Sequence, residues 1–227
     1  MYQPMLFIHW KQVRHVLIPF VVAAFSLPML AVQGLGTDGS RAVSVEIYQI
    51  VSSSQLWLPL FPALAGGVGV VLALTAWNWD HKLGHVYALS LPVARWEYTL
   101  LKMSAGVVLG LLPAIALWLG AHLALATITL PTGLTAYPSQ LALRFFLATL
   151  MAYSFFFALG AGTIRTTLWV VGGLLALFVG SALVGDLVAA YVPALSEMSG
   201  LDLATRWLVK VGGPLQVFTG NWSLIDV

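Results

Sequence analysis

The stretch Leu56–Trp77 reads LWLPLFPALAGGVGVVLALTAW and contains no charged residue. A helix needs roughly 20 mostly apolar residues to cross the hydrocarbon core of a bilayer, so this stretch is long enough to span a membrane. The chain as a whole is 60% hydrophobic and only 8% charged, which is not the composition of a water-soluble domain of 227 residues. The sequence therefore predicts an integral membrane protein.

Four other stretches share this apolar character and length. They are Val16–Gln33, Met103–Thr127, Phe145–Ile164 and Leu168–Gly185. Prolines fall in or near several of them, and membrane helices tolerate proline because neighbouring helices satisfy the freed backbone groups. We predict an all-α fold, a polytopic membrane helix bundle with five transmembrane helices, forming a single domain over residues 1–227.

The basic residues near the ends of these stretches predict the orientation, because Lys and Arg favour cytoplasmic loops. Six of them fall on one side of the predicted bundle: Lys11, Arg14, Lys82, Arg95, Lys102 and Arg165. The other side has four: Arg41, Arg144, Arg206 and Lys210. The larger number places the N-terminus in the cytoplasm.

Residues 1–15 are amphipathic before the first span begins. Leu6, Trp10, Val13 and Leu17 recur at helical spacing, while the basic residues fall mostly elsewhere on the helical wheel. This pattern predicts an interfacial elbow helix that turns into the first span, with Trp10 at the level of the lipid headgroups. The alternative is a simple cytoplasmic extension of the first span.

Residues 78–102, between the second and third spans, form the most informative polar segment. Asp80 and His81 lie near the start of a predicted short helix, and Pro92 prevents its simple continuation. A second helical stretch, Val93–Lys102, leads into the third span. A short helix across the mouth of two spans would move both of them when a soluble partner pushes on it.

This segment resembles the loop between the second and third helices of ABC transporter permeases of the exporter type, the ABCG-like membrane-domain family. The matching residues are Asp80, Gly84, Leu89, Ser90, Leu91, Pro92, Val93, Arg95, Tyr98 and Lys102. The resemblance implies a coupling helix that docks on a separate ATP-binding cassette subunit. The coupling residues expected from it are Asp80, His81, Lys82, Gly84, His85, Leu89, Pro92 and Arg95.

The resemblance has further implications for partners and location. It implies a second permease chain, identical or related, in the inner (plasma) membrane of a prokaryote. Members of the family usually have six spans, whereas five are visible in this sequence. Residues 186–227 are expected to form a re-entrant or surface segment on the outer side, with a helix at Leu201–Val211. A sixth span is expected after Val227; the alternative is a genuine five-span protein.

No residue pattern predicts catalysis in this chain. The sequence has no Gly-x-x-x-x-Gly-Lys phosphate loop, so ATP hydrolysis is expected in a partner subunit and no cofactor is expected here. There is no cysteine, and no third ligand accompanies His81 and His85, so no metal site is predicted. A formal net charge of +2 gives no reason to expect nucleic acid as a partner.

Small residues indicate where helices meet. Gly106 and Gly110 in the third span have the spacing that permits close helix packing. The outer surface of the bundle is expected to contact the lipid bilayer. A gradient-driven carrier is the first alternative function, although His122 is nearly the only ionisable residue within the predicted spans. The other alternative functions are an intramembrane enzyme and a non-transporting structural subunit of a larger membrane complex.

Overall fold

The computed structural model describes residues 2–33, 58–82, 94–128, 134–162, 168–169, 172–173, 176, 216–219 and 222–226. Most of these residues are helical. The four long helices are α1 (Tyr2–Gln33), α2 (Leu60–Lys82), α3 (Arg95–Ala126) and α4 (Pro138–Ala161). The remaining elements are a short helix α5 (Gln216–Thr219) and two strands, β1 (Thr135–Ala136) and β2 (Ile225–Asp226).

Each long helix contains a segment long and apolar enough to cross a membrane. The segments are Leu6–Val32, Leu60–Asn78, Trp96–Ala126 and Pro138–Ala161. They confirm the helical character of the first four predicted stretches and fit a multi-pass membrane protein. The fifth stretch, Leu168–Gly185, belongs to a second compact unit, Leu159–Gly220. Only five residues of this stretch are described, and all five are helical. The count of five spans therefore stays a prediction.

Successive helices run in alternating directions. The contacts that fix these directions join Gly67 to Phe20, Asp80 to Lys102, Gly120 to Phe25, Trp118 to Ser139, and Gly106 to Tyr153. The start of α1, the end of α2 and the start of α3 therefore lie at the same end of the bundle. We call it the Asp80 end. This arrangement is the one expected of consecutive spans that enter and leave a bilayer.

Helix α1 is continuous from Tyr2 to Gln33, with no turn between the predicted elbow and the first span. Val13 and Leu17, from the stripe that suggested a helix lying on the membrane surface, are fully buried against the other helices. Phe7 and Ile18 lie on the opposite, exposed side. The stripe is thus explained by packing within the bundle, and the interfacial elbow stays a prediction.

Two glycines bring helix backbones into close contact. A Cβ atom on Gly69 of α2 would lie 2.7 Å from the carbonyl oxygen of Thr149 and 2.7 Å from the amide nitrogen of Tyr153, both on α4. A Cβ atom on Gly120 of α3 would overlap the backbone carbonyl of Phe25 on α1. Close approach at small residues increases van der Waals contact between helices that gain no hydrophobic energy from leaving lipid.

A short pair of antiparallel strands lies at the end of the bundle opposite the Asp80 end. Thr135 pairs with Asp226 and Ala136 with Ile225, so β2 lies beside the connection between α3 and α4. The neighbouring side chain of Trp222 is buried, and the Arg144 guanidinium lies 5.7 Å from the centre of its indole ring. These strands are the one strand pairing among the described residues, and the all-α prediction did not include them.

Candidate functional site

A buried ion pair joins α2 to α3 at the Asp80 end. The Lys102 ammonium donates a hydrogen bond to Oδ2 of Asp80, and the two residues are only 6% and 2% exposed. Asp80 lies two residues before Lys82, where α2 ends, and Lys102 lies about two turns after the start of α3. The pair therefore joins the end of α2 to the start of α3, the two helix ends that residues 83–94 connect.

Tyr98 completes the coordination of this pair. Its hydroxyl lies 3.2 Å from both carboxylate oxygens of Asp80 and donates to that group, and it accepts a hydrogen bond of 3.4 Å from Lys102. Tyr98 and Lys102 are four residues apart on α3, so one helix face presents both donors to the carboxylate. A buried charge is tolerated only when it is paired and hydrogen-bonded, and the Asp80 carboxylate satisfies both conditions.

Trp77 covers the cationic side of the pair. The Lys102 ammonium lies 4.5 Å from the centre of the Trp77 ring, within the range of a cation–π interaction. The indole nitrogen of Trp77 donates a hydrogen bond of 3.0 Å to the carbonyl of Phe157 on α4. We call Trp77, Asp80, Tyr98 and Lys102 the ionic cluster. Through Trp77 it contacts a third helix.

Tyr153 on α4 makes a second connection to α3 beside the cluster. Its buried hydroxyl donates to the carbonyls of Lys102 and Met103, at 3.4 Å and 3.3 Å. Gly106 provides the space, because a Cβ atom there would overlap the Tyr153 ring. The close approach at Gly106 is thus made by a side chain, whereas the predicted packing was between helix backbones.

His9 adds an ionisable group from α1. It is 3% exposed, interacts with the backbone of Leu72 and lies within electrostatic range of Lys102. Its Nε2 atom has no hydrogen-bond partner within the described part of the chain. Residues from all four long helices therefore surround this polar region.

The structure places the predicted coupling residues in different settings. Asp80 is internal to the ionic cluster, where its carboxylate is buried against Lys102 and Tyr98. Lys82 is exposed at the end of α2, and the backbones of His81 and Arg95 are helical. The predictions for Gly84, His85, Leu89 and Pro92 fall outside the described residues. Coupling to an ATPase therefore stays a prediction for all of them.

The second predicted packing residue, Gly110, has ordinary space around it. A Cβ atom there would lie 3.5 Å from a methyl group of Leu72 and 3.6 Å from one of Thr149. His122, on the exposed surface of α3, makes an edge contact with the Trp118 ring. Among the described residues there is no group of three metal-ligating side chains, and the pairing of His81 with His85 falls partly outside them.

Three members of the cluster lie in the predicted coupling segment, residues 78–102, but were not predicted as neighbours. Asp80, Tyr98 and Lys102 all belong to the pattern that resembles ABC permeases, but their mutual contact was not predicted. The i, i+4 spacing of Tyr98 and Lys102 was the available signal. The contributions of His9 and Tyr153 had no such signal, because they depend on how α1 and α4 pack.

Comparisons with models of protein families, with curated proteins and with solved structures give no match to this chain.

Proposed function

We propose that this chain is the membrane-spanning subunit of an ABC transporter, and that a separate ATPase subunit docks on residues 78–102. Three observations support the proposal: the resemblance of that segment to a coupling loop, the four helices long and apolar enough to span a membrane, and the lack of a phosphate loop in the sequence. The observation that carries it furthest is the ionic cluster, because it ties together the two helix ends that the segment connects.

The cluster gives the segment a mechanical connection to the bundle. A force on residues 83–94 would bend α2 and α3 separately if their ends were free. With Asp80 held by Lys102 and Tyr98, the two ends move together. Trp77 and Tyr153 extend the connection to α4, so that a displacement at the docking segment would reach three helices.

The cluster also divides the roles within the segment. Asp80 is a positioning residue, since its carboxylate contacts α3 and not the solvent. Direct contact with the ATPase is assigned to exposed Lys82 and to the segment that follows, including Gly84, His85 and Leu89. Two such chains in the inner membrane of a prokaryote would enclose the substrate path, and ATP binding would draw their docking segments together.

Co-purification from native membranes tests this proposal, with stimulated ATPase activity as the readout. The variant Gly84→Pro/Arg95→Glu is expected to insert in the membrane and lose the ATPase partner. Lys102→Met is expected to retain the partner and lose most of the stimulation, because it breaks the connection behind the docking surface. Ser104→Ala is the matched control, since among the described residues the Ser104 hydroxyl bonds only to Leu101 of its own helix.

The absence of any nucleotide-binding subunit after gentle extraction of the unmodified chain would overturn the ABC transporter proposal. Stimulation of the Lys102→Met complex at the level of the Ser104→Ala control would overturn the mechanical role of the ionic cluster.

A gradient-driven carrier is the second candidate function. The observation that favours it is the grouping of three buried ionisable residues, His9, Asp80 and Lys102, at one end of the bundle. Carriers use such groups to bind protons or ions. The chain reconstituted alone in vesicles would then dissipate an imposed proton gradient, followed with a pH-sensitive dye in the lumen, and Asp80→Asn would abolish the effect.

A further inference from the structure

The exposed side of α1 carries a compact group of nitrogen-containing side chains. Lys11, Arg14 and His15 are all exposed and lie at i, i+3 and i+4, so they share one face of the helix. The Arg14 side chain donates a hydrogen bond of 3.2 Å to His15, which holds the guanidinium and the imidazole side by side. We call these three residues the basic face.

The basic face interrupts a surface that is otherwise apolar. Phe7, which precedes it, is 66% exposed, and Ile18 and Val22, which follow it on the same side, are 50% and 60% exposed. The other side of the helix packs into the bundle, where Val13 and Leu17 are fully buried. The basic side chains therefore project outward, away from the other three helices and toward the surrounding bilayer.

The described part of the chain supplies no counter-charge to this face. The first 37 residues contain no Asp or Glu. Within the described part of the chain, neither Lys11 nor Arg14 forms an ion pair with a carboxylate. Cations in a lipid-facing surface are costly unless an anion accompanies them. The partner of the basic face must therefore come from outside the described chain.

We infer that the basic face binds the phosphate of an anionic phospholipid in the leaflet at the Asp80 end. The distance from Lys11 to Val32 along α1 is about 30 Å at 1.5 Å per residue, close to the thickness of the hydrocarbon core. That length puts Lys11, Arg14 and His15 at the level of the headgroups. The acyl chains would lie along Ile18 and Val22. Guanidinium and ammonium groups are the usual donors to phosphate oxygens in proteins.

Native mass spectrometry of the full chain tests this inference after extraction from nanodiscs that contain phosphatidylcholine with or without phosphatidylglycerol. The unmodified chain is expected to retain phosphatidylglycerol in preference to phosphatidylcholine. Each basic residue near a membrane surface contributes about fivefold to binding of anionic lipid, so Lys11→Gln/Arg14→Gln is expected to bind about 25-fold more weakly. All substituted side chains are exposed, so the fold is preserved.

His122→Gln is the control, because His122 is an exposed nitrogen-containing side chain on another helix, at the opposite end of the bundle. Its retention of phosphatidylglycerol is expected to equal that of the unmodified chain. Equal retention by the Lys11→Gln/Arg14→Gln variant would overturn the inference, as would displacement of the bound lipid by inorganic phosphate alone. The experiment needs no ATPase, so its result is independent of the proposed transport function.

Discussion

Helix α3 contacts α2 and α1 in contrasting ways. Near its start, the contact with α2 is made by long polar side chains, with Lys102 and Tyr98 surrounding the carboxylate of Asp80. Near its end, the contact with α1 is made by backbone atoms, because Gly120 has no side chain to separate it from Phe25. The first contact depends on opposite charges at Asp80 and Lys102, and the second depends on the absence of a side chain at Gly120. They should therefore fail under different substitutions.

The largest expected effect is the loss of one charge from the ionic cluster. Lys102→Met leaves Asp80 buried without its counter-ion, and the free energy of unfolding is expected to fall by about 4 kcal/mol. Thermal unfolding of the purified chain in mild detergent measures the change. The double variant Asp80→Leu/Lys102→Met removes both charges and should recover most of the loss. If the double variant is as unstable as Lys102→Met, the attraction between charges is not what holds α2 to α3.

The backbone contact should respond to a single added methyl group. Gly120→Ala places a Cβ atom where the Phe25 carbonyl lies, and neither backbone can move independently, so a loss of about 3 kcal/mol is expected. Gly110→Ala is the control on the same helix. Its Cβ atom would meet Leu72 and Thr149 at ordinary contact distances, and the change should stay within about 0.5 kcal/mol. Equal losses from the two variants would contradict the assignment of backbone contact to Gly120.

A smaller effect is expected when the cluster keeps its charges but loses one hydrogen bond. Tyr98→Phe removes the hydroxyl that donates to Asp80 while Lys102 still neutralises the carboxylate, so the expected loss is about 1.5 kcal/mol. Tyr137→Phe, at the opposite end, removes an exposed hydroxyl that accepts from Thr135 and should change stability by less than about 0.5 kcal/mol. Unfolding under the same conditions compares them. A loss as large as that of Lys102→Met would show that Tyr98 does more than solvate the pair.

The helices of the bundle were predictable from the sequence because each depends on a local property. The stretches Leu56–Trp77 and Met103–Thr127 are apolar over enough residues to span a bilayer, and helices α2 and α3 cover most of them. Their ends were less predictable. Helix α2 continues through the polar residues to Lys82, since polar residues just beyond a span can remain helical.

The candidate site could be predicted only in part, because it is made by contacts between helices. Asp80 and Lys102 are far apart in the sequence, and nothing local indicates that the ends of α2 and α3 bring them together. The apolar stripe of α1 illustrates the same difficulty. Val13 and Leu17 would look identical on a helix lying on a membrane and on one packed in a bundle.

The ladder between β1 and β2 has a consequence for the order in which the protein assembles. Thr135 pairs with Asp226, about 90 residues further along the chain, so this contact cannot form until nearly all of the described chain has been synthesised. Asp80 and Lys102 meet as soon as the second and third helices have been inserted. The ion pair at the Asp80 end would therefore form first, and the strand pair at the end that contains Trp222 would form last. Ribosome-bound intermediates that end before β2 would contain the Asp80–Lys102 ion pair without the pairing of β1 and β2.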